Sequence, residues 1–518
     1  MIQETSGEAQ QFRTWIARWL GLRFDDTKLE FLAEVLDQRA EKNGLGRREY
    51  LNQLQGAHFE AELRALAFEL TVPETYFFRH MDQFRAFAEV ALPEARATRG
   101  PTRTIRILSA GCATGEEPYS LAMLVRERGT DFIGNVEIHA LDINSAVLAK
   151  AARALYSPWS LRETPEDSQK RWFKAVGKEF ALDATIRSAV TFHAVNLIDD
   201  SKDIWAPQRN DVIFCRNVLM YFTEDAAQDL VKRLTRSLAP GGHLFLGHAE
   251  TLRGLSDEYH LCHTHGTFYY QRKPAVNGKL SNVGDQKNII GSPKPGFENI
   301  PAIAAGLLAE SPATWLETIQ QASDRIRVLT QRPIAAAASP QRASASSAGE
   351  YPPPLHLVQA LFKQERFADA LELLGRLTAN SAQDPDSLLL RAALLTHSGQ
   401  LAAAERASEQ LLTHDELNAG AHYLLALCRE SAGDHSRALE HDQTAIYLDS
   451  SFAMPRLHLG LMARRAGDRD GARRELTQAL PLLKREDASR LLLFGGGFGR
   501  EALIALCHAE LKSAGTLA

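Results

Sequence analysis

IRILSAGCATGEEPY, residues 105–119, has the pattern of a buried strand, a glycine turn and the first turn of a helix. Gly111 and Gly115 allow the backbone to turn sharply and to approach a ligand closely. Two carboxylates, Glu116 and Glu117, follow at the helix start. A phosphate-binding loop would offer bare amides or a lysine there, because its ligand is an anion. The glycines alone do not separate a ligand loop from a plain tight turn, but the acidic pair favours a partly cationic ligand.

A second acidic position follows the next predicted strand. VEIHAL, residues 136–141, reads as a buried parallel strand, and Asp142 comes directly after it. The spacing from the glycine loop is about 25 to 30 residues, and an acidic residue that binds a ribose usually follows after ~20. The helix predicted at 118–128 accounts for the extra length. S-adenosylmethionine fits both features, since it carries an ammonium, a sulfonium and a ribose but no phosphate.

The region from 84 to 273 alternates strands and helices, which predicts a doubly wound α/β sheet. Strands are predicted at 104–109, 136–141, 190–195, 211–215, 243–247 and 267–271. Ligands collect at the carboxyl ends of such strands. The residues at those ends are Gly111, Asp142, Asn196, Arg216 and Asn217, with Tyr221 one helical turn further on. Residues 156–195 break the alternation and predict a small antiparallel β insertion.

Length, charge and cysteine content set wider limits. A chain of 518 residues is too long for one core, and its net charge of −5 argues against nucleic acid as the main partner. Five scattered cysteines without a CxxC pair indicate a reducing compartment. With neither a signal peptide nor an apolar run of about 18 residues, a cytoplasmic protein with no membrane insertion is expected. Cys262, His263 and His265 lack further ligands at metal spacing, so no metal is expected.

Residues 1–80 predict a small N-terminal helical domain, ahead of a cofactor domain at 81–273. Its arginines form either an ordinary solvated surface or a docking face for an acidic partner helix. TVPETYFFR, residues 71–79, ends this domain with three aromatic residues beside Arg79. It is either an aromatic hinge or part of a ligand pocket.

The C-terminal part is repetitive. Residues 274–350 are rich in Pro, Ser and Ala and predict a flexible linker. Beyond it, Gly399, Gly433 and Gly467 are spaced 34 residues apart, and alanines repeat at the same interval at 370, 404, 438 and 472. This is the tetratricopeptide period, with small residues expected where paired helices approach closely. About four repeats at 354–483, in a domain spanning 351–518, should stack into a surface for a protein or peptide. GGGFGRE at 495–501 lacks GK[ST] and predicts a turn between helices.

Six of these motifs together resemble the CheR family of chemotaxis-type protein-glutamate O-methyltransferases. In order they are TVPETYFFR, AGCATGEEPYS, ALDINSAVL, NL at 196–197, FCRNVLMYF and APGGHLFLGHAETL. The resemblance covers about residues 8–273. It implies S-adenosylmethionine as methyl donor and a methyl-accepting chemoreceptor-like protein as substrate.

The resemblance also implies roles for individual residues. The cofactor pocket would be formed by Thr75, Arg79, Glu117, Asp142, Asn196, Leu197, Arg216 and Asn217, and the glycine loop adds Gly111. Arg79 and Tyr221 would lie nearest the transferred methyl group and are the expected catalytic residues. Pro73 stands where the family often has asparagine, so that one contact is not expected here.

Three functions follow as hypotheses. The first is an active methyltransferase whose repeats recruit its substrate or another signalling protein. The second is a scaffold that acts through its repeats and keeps an idle cofactor domain. The third, a small-molecule methyltransferase, fits the pocket but not the basic helical domain or the repeats. Some family members grip a receptor tail with a longer glycine-bearing loop than residues 177–186 provide, so no tail tether is expected here.

Overall fold

A computed structural model of the protein describes residues 2–55, 59–71, 73–100, 103–129, 132, 135–200, 203–274, 355–364, 366–376 and 384–515. The chain divides into two compact units, Met1–Pro295 and Gly296–Ala518. The predicted linker lies outside the described residues from position 275 onward. No helix within the described ranges is both long enough and apolar enough to span a bilayer.

The first unit begins with four helices. They are α1 (Ile2–Leu20), α2 (Leu29–Lys42), α3 (Arg47–Gln53) and α4 (Phe59–Leu70). Apolar residues at helical spacing, among them Phe12, Ile16 and Leu36, are fully buried between them. These helices belong to the same compact unit as the sheet.

The same unit contains two sheets. The described strands are β1 (Ile105–Ala110), β2 (Val136–Asp142), β3 (Leu155–Tyr156), β4 (Phe173–Val176), β5 (Glu179–Leu182), β6 (Val190–Ala194), β7 (Asn210–Cys215), β8 (Leu238–Leu246), β9 (Tyr259–Thr264) and β10 (Thr267–Arg272). The main sheet has the order β6-β2-β1-β7-β8-β10-β9, with β6 to β8 parallel and a β9–β10 hairpin at one edge. Every residue of β7 is buried, as expected of a central strand covered by helices on both faces.

Among the described residues of this unit, seven further α-helices flank these sheets. They are α5 (Met81–Ala86), α6 (Leu92–Arg99), α7 (Glu116–Glu127), α8 (Ser145–Arg153), α9 (Glu166–Trp172), α10 (Ala184–Arg187) and α11 (Glu224–Ser237). The small antiparallel sheet has the order β3-β5-β4 and ends at Leu182. Strand β6 lies inside the predicted insertion, but it pairs in parallel with β2 in the main sheet.

A short main-chain pairing joins the N-terminal helices to the sheet. Leu22 and Phe222 form an antiparallel bridge. On either side of it, the amide of Arg23 donates to the carbonyl of Tyr221 and the amide of Thr223 donates to the carbonyl of Gly21, both at 2.8 Å. Gly21 has a φ of +71°, and a Cβ there would lie 2.7 Å from the Phe222 ring. The segment after α1 is thereby fixed beside the loop that follows β7.

The second unit is helical. Its described helices are α12 (Leu355–Lys363), α13 (Phe367–Gly375), α14 (Pro385–His397), α15 (Leu401–His414), α16 (Ala419–Ser431), α17 (His435–Leu448), α18 (Ala453–Arg465), α19 (Arg469–Arg485), α20 (Ala488–Phe494) and α21 (Arg500–Gly515). Helices α12 to α19 pair consecutively as tetratricopeptide-type helical hairpins. Residues 495–499 form the turn between α20 and α21, as the sequence predicted.

The small residues of the repeat have two different roles. Ala370, Ala404, Ala438 and Ala472 are completely buried, which fits close contact between paired helices. The prediction of close approach is wrong for Gly399, Gly433 and Gly467, because a Cβ at any of them would have no atom within 4 Å. These glycines lie in the turn of each hairpin with φ between +73° and +81°. The regular spacing of these glycines therefore reflects a left-handed backbone conformation that each repeat requires at this turn.

A buried ionic cluster connects three repeat helices. The ring nitrogens of His458 lie 2.6 Å from Asp442 Oδ2 and 3.0 Å from Glu430 Oε2, and Arg465 also pairs with Glu430. Burial by itself would lower the pKa of His458, but the two carboxylates outweigh it and raise the pKa to about 9. His458 is therefore an imidazolium at neutral pH, held between α16, α17 and α18.

Candidate active site

A cavity of about 850 Å³ opens at the carboxyl ends of the parallel strands in the first unit. All the residues predicted for the site border it, namely Thr75, Arg79, Gly111, Glu117, Asp142, Asn196, Leu197, Arg216, Asn217 and Tyr221. One wall had no counterpart in the predicted site. It comes from the N-terminal helices and their connection and includes Arg13, Arg23, Phe24, Lys28 and Phe31.

The loop between β1 and α7 needs its glycines for two reasons. Gly111 and Gly115 have φ of +78° and +92°, a region that other residues adopt only with strain. A Cβ on Gly111 would also lie 2.4 Å from Val218 Cγ2, and one on Gly115 would lie 2.9 Å from the Ala151 methyl group. The loop is therefore packed directly against the segment that follows β7.

The two adjacent glutamates of this loop point to different places. Glu117 borders the cavity, where it accepts hydrogen bonds from Ser109 Oγ at 2.8 Å and from Arg216 Nη1 at 3.1 Å. Burial raises the pKa of Glu117, and Arg216 only partly opposes this effect. Glu116 is buried, accepts from Thr114 Oγ1 at 2.6 Å and does not border the cavity. Only Glu117 can therefore face a ligand, and part of its charge is already balanced by Arg216.

Arg216 is hydrogen-bonded to the backbone of Arg79, the other arginine of the predicted site. Its Nη2 donates to the main-chain carbonyl of Arg79, and its guanidinium lies 5.4 Å from the centre of the Phe84 ring. Its buried Nε has no hydrogen-bond partner within the described structure. The side chain of Arg79 donates to the carbonyl of Glu74 at 3.1 Å. Both arginines border the same cavity, and the backbone at Arg79 is held by Arg216.

Asp142 keeps acceptor capacity on both carboxylate oxygens. Oδ2 accepts from the amide of Ala113 and Oδ1 from the amide of Asn144, each at 2.9 Å. Burial raises the pKa of Asp142 despite these hydrogen bonds. A carboxylate has about four acceptor positions, so about two remain for a ligand such as a pair of ribose hydroxyls.

Asn196 and Tyr221 meet the N-terminal segment. The side-chain amide of Asn196 donates to the carbonyl of Trp19 at 2.9 Å, and its oxygen accepts from the amide of Ile198 at 3.3 Å. Both ends of this side chain therefore already have protein partners. The side chain of Tyr221 is 44% exposed and lies at the rim of the cavity. Tyr221 is consequently accessible to an acceptor that approaches from outside.

Glu250 organises the loop after β7, a role that no motif of the sequence indicates. Its buried carboxylate accepts from the amides of Asn217, Val218 and Gly247 at 2.7 Å and from the amide of Met220 at 3.3 Å. Asn217 itself has a φ of +57°, an uncommon conformation that these hydrogen bonds support. Glu250 belongs to the motif APGGHLFLGHAETL, but three of its four partners are backbone amides about 30 residues away in sequence. Local sequence patterns therefore do not reveal it.

The charge distribution of the cavity suits a zwitterionic ligand. Five cationic side chains border it, those of Arg13, Arg23, Lys28, Arg79 and Arg216. Five acidic side chains balance them, those of Asp25, Glu69, Glu74, Glu117 and Asp142. S-adenosylmethionine combines a carboxylate with an ammonium and a sulfonium. The free acceptor positions of Asp142 and the unpaired Nε of Arg216 supply groups of both kinds, so the lining fits this cofactor.

Comparison with known proteins agrees with this geometry. The family described as "CheR methyltransferase, SAM binding domain" matches residues 73–268. Chemotaxis protein methyltransferase 2 of Vibrio cholerae is 34% identical over 277 residues, which cover 52% of this chain and 95% of that protein. The probable biofilm formation methyltransferase WspC of Pseudomonas putida is 27% identical over 469 residues, covering 90% of this chain and 96% of that protein. WspC of Pseudomonas aeruginosa is 29% identical over 427 residues, with coverages of 82% and 87%.

Two of these relatives match the chain well beyond the cofactor domain. The Vibrio cholerae protein is matched over nearly its whole length by about half of this chain, whereas the WspC proteins are matched over most of both chains. Fold, cavity lining and sequence lead to one conclusion: the chain is a member of the CheR family of S-adenosylmethionine-dependent methyltransferases.

Proposed function

We propose that this enzyme esterifies glutamate side chains of a methyl-accepting chemoreceptor-like protein, and that its repeats recruit a protein partner. One observation carries the first part. Arg79, Arg216 and Tyr221 border the same cavity as Glu117 and Asp142, so groups suited to an anionic acceptor lie beside groups suited to the donor.

The methyl transfer requires little from the protein beyond positioning the acceptor and the donor. A glutamate has a pKa of ~4.3, so at neutral pH the acceptor is already an ionised nucleophile and needs no general base. When bound, S-adenosylmethionine supplies an electrophilic methyl group. The protein has to hold the acceptor oxygen in line with that group, which can contribute several kcal/mol, up to ~7 to 11 in favourable cases.

Each residue of the cavity has a proposed task in this reaction. Arg79 holds the acceptor carboxylate, and Tyr221 at the rim donates a hydrogen bond that sets its angle. Donor binding is assigned to Thr75, Arg79, Gly111, Glu117, Asp142, Asn196, Leu197, Arg216 and Asn217. The side chain of Asn196 is already paired with Trp19 and Ile198. Asn196 therefore contacts the donor through its backbone, or through its side chain after that side chain has rearranged.

The N-terminal wall supports a protein acceptor. Arg13, Arg23 and Lys28 border the cavity, which favours a docking face for an acidic helix over an ordinary solvated surface at these positions. Arg13 also pairs with Asp26 at 2.7 Å, and other arginines of the same region are held in structural ion pairs. Arg39 forms a buried ion pair with Glu62, for example. The names of the relatives, chemotaxis protein methyltransferase and biofilm formation methyltransferase, are in line with a receptor-type substrate.

A methyl-transfer assay tests the proposal. The full chain is incubated with methyl-labelled S-adenosylmethionine and the helical cytoplasmic fragment of a bacterial chemoreceptor. We expect label in the fragment that alkali releases as methanol, and none when the acceptor glutamates are replaced by glutamine. Cofactor binding by calorimetry without any ester would leave the idle-scaffold hypothesis, and label confined to small molecules would indicate a different acceptor.

A receptor-tail tether is not part of this proposal. The hairpin between β4 and β5 turns within Gly177 and Lys178, which leaves no long loop at this hairpin to grip a peptide. Calorimetry of the full chain with a receptor C-terminal peptide should show no binding. A tight complex would contradict this part.

A further inference from the structure

The segment at residues 486–494, which includes α20, lies across the first helices of successive repeats. The ring of His397, at the end of α14, donates from Nε2 to the carbonyl of Leu493 at 3.0 Å. The hydroxyl of Tyr423 on α16 donates to the carbonyl of Phe494 at 3.4 Å. This surface, formed by α14, α16 and the start of α18, is called the first-helix face below.

An aromatic pocket on the first-helix face receives the Phe494 ring. The ring centre of Phe494 lies 5.9 Å from that of Tyr423 and 5.1 Å from that of Phe452, and the residue is only 6% exposed. Gly420 makes room for it, since a Cβ there would lie 2.7 Å from Phe494 Cζ. The positions 34 residues to either side hold Asp386 and Met454, so glycine occurs only in the repeat that accommodates the ring.

Charged contacts fix the rest of the segment. Arg490 pairs with Asp449, and its guanidinium lies 5.2 Å from the centre of the Phe452 ring. Glu486 Oε2 accepts from the amide of Ala453 at 2.6 Å, at the first turn of α18. The first-helix face thus recognises an acidic residue, an arginine four positions later and a phenylalanine four positions after that.

The segment is connected so that it could leave this face without unfolding its neighbours. Residues 495, 496, 497 and 499 are glycines, with φ of +64° and +85° at Gly496 and Gly497. Helix α21 packs mainly against α19, where Cys507 Sγ donates to the carbonyl of Leu476, and its first residue, Arg500, donates to the carbonyl of Glu486 at the start of the segment. Within α20 only Leu491 and Phe494 are buried.

We propose that the first-helix face is a peptide-binding site which the chain closes with its own residues 486–494. The partner recruited by the repeats would carry a short helix with the same arrangement of acidic residue, arginine and phenylalanine, and would displace the internal segment. This inference rests on the proposed recruitment of a partner and adds its chemistry and its regulation. A tethered competitor acts at an effective concentration in the millimolar range, so the free partner binds well only when the segment is released.

A labelled peptide tests the inference on the full chain. The probe is fluorescein-EDASRLLLFG, which reproduces residues 486–495, and the control peptide carries glutamate for arginine and aspartate for phenylalanine. By fluorescence anisotropy we expect weak binding to the wild type and at least about tenfold tighter binding to Phe494→Asp. Phe498→Asp, in the same glycine-rich turn, should behave as the wild type. In the Phe494→Asp background, Gly420→Leu should abolish binding because it fills the aromatic pocket.

Four results would overturn the inference. One is equal affinity of wild type and Phe494→Asp, and a second is undiminished binding after Gly420→Leu. A third combines two measurements. Phe494→Asp loses its helical circular dichroism, and in the wild type the amides of α20 exchange as slowly as those of α19, so the segment would be a fixed part of the fold. The fourth is a wild-type dimer that the peptide dissociates, which would make a second copy the occupant. The methyl-transfer assay reads the proposed activity separately, so an active enzyme that fails these tests removes only the peptide site.

Discussion

Exchange of Glu250 for glutamine keeps the length of the side chain but removes its charge and one of its two acceptor oxygens. Each carboxylate oxygen accepts two backbone amides, and the amide group of glutamine accepts none. Two of the four hydrogen bonds are therefore lost. A hydrogen bond to a charged group contributes about 1.5 to 3 kcal/mol, which gives a loss of about 3 to 6 kcal/mol before the loop relaxes.

The loss should appear in cofactor binding, because the loop that Glu250 holds carries Arg216, Asn217 and Tyr221. If half of this free energy is expressed as disorder of the loop, the affinity for S-adenosylmethionine falls at least tenfold, which corresponds to about 1.4 kcal/mol. Calorimetric titration of the full chain with the cofactor measures this, and kcat with the receptor fragment should fall as well.

Glu258→Gln is the matched control, because this glutamate follows in the same region but its side chain is 59% exposed. It should bind the cofactor as the wild type does. Thermal unfolding of both variants establishes that they are folded. A folded Glu250→Gln variant with wild-type cofactor affinity and kcat would refute the assignment of Glu250 as the residue that positions the loop.

Three further results are expected. Arg79→Ala should lower kcat about 10- to 150-fold, because it removes one charge-assisted hydrogen bond of about 1.5 to 3 kcal/mol. Arg79→Lys should retain more activity. An unchanged rate in Arg79→Ala would remove Arg79 from the mechanism. Asp142→Asn should weaken cofactor binding about tenfold or more in calorimetry, with kcat at saturating cofactor little changed; equal affinity would exclude the ribose contact. His458 has a pKa raised from 6.5 to about 9, so its stabilisation is full below pH 6.5 and is lost as the pH rises through 9. The melting temperature of the repeat helices should therefore fall between pH 7 and 10, and more steeply than in His458→Gln; parallel curves would contradict the buried imidazolium.

Much of the first unit could be predicted because its signals are local. The central strands are apolar runs that end in polar residues, and parallel topology brings those ends to one edge of the sheet. Gly111 and Asp142 were found in this way, and the arrangement of the strands places both on the cavity. The predicted Glu117 also lies there, although its pairing with Arg216 could not be read from positions 99 residues apart.

The remaining features depend on contacts that leave no local pattern. Glu250 binds main-chain amides, which almost every residue carries, so no pattern of side chains in the sequence marks its partners. Its role is visible only in the folded loop. The N-terminal wall of the cavity was missed because Phe24 and Lys28 resemble ordinary surface residues until the chain returns to the sheet. The period of the repeat glycines was predicted correctly, but the physical reason was wrong. A positive φ and a close contact between helices both require glycine, so the sequence does not distinguish them.

Under the proposed mechanism, the main-chain bridge between Leu22 and Phe222 makes acceptor choice depend on two segments that are 200 residues apart. One of them carries the rim tyrosine and the other the cationic wall. Grafting the first 80 residues of one family member onto the catalytic sheet of another would change the shape of the reaction chamber itself. Substrate preference in such hybrids should then follow the pairing of the two segments rather than either segment alone.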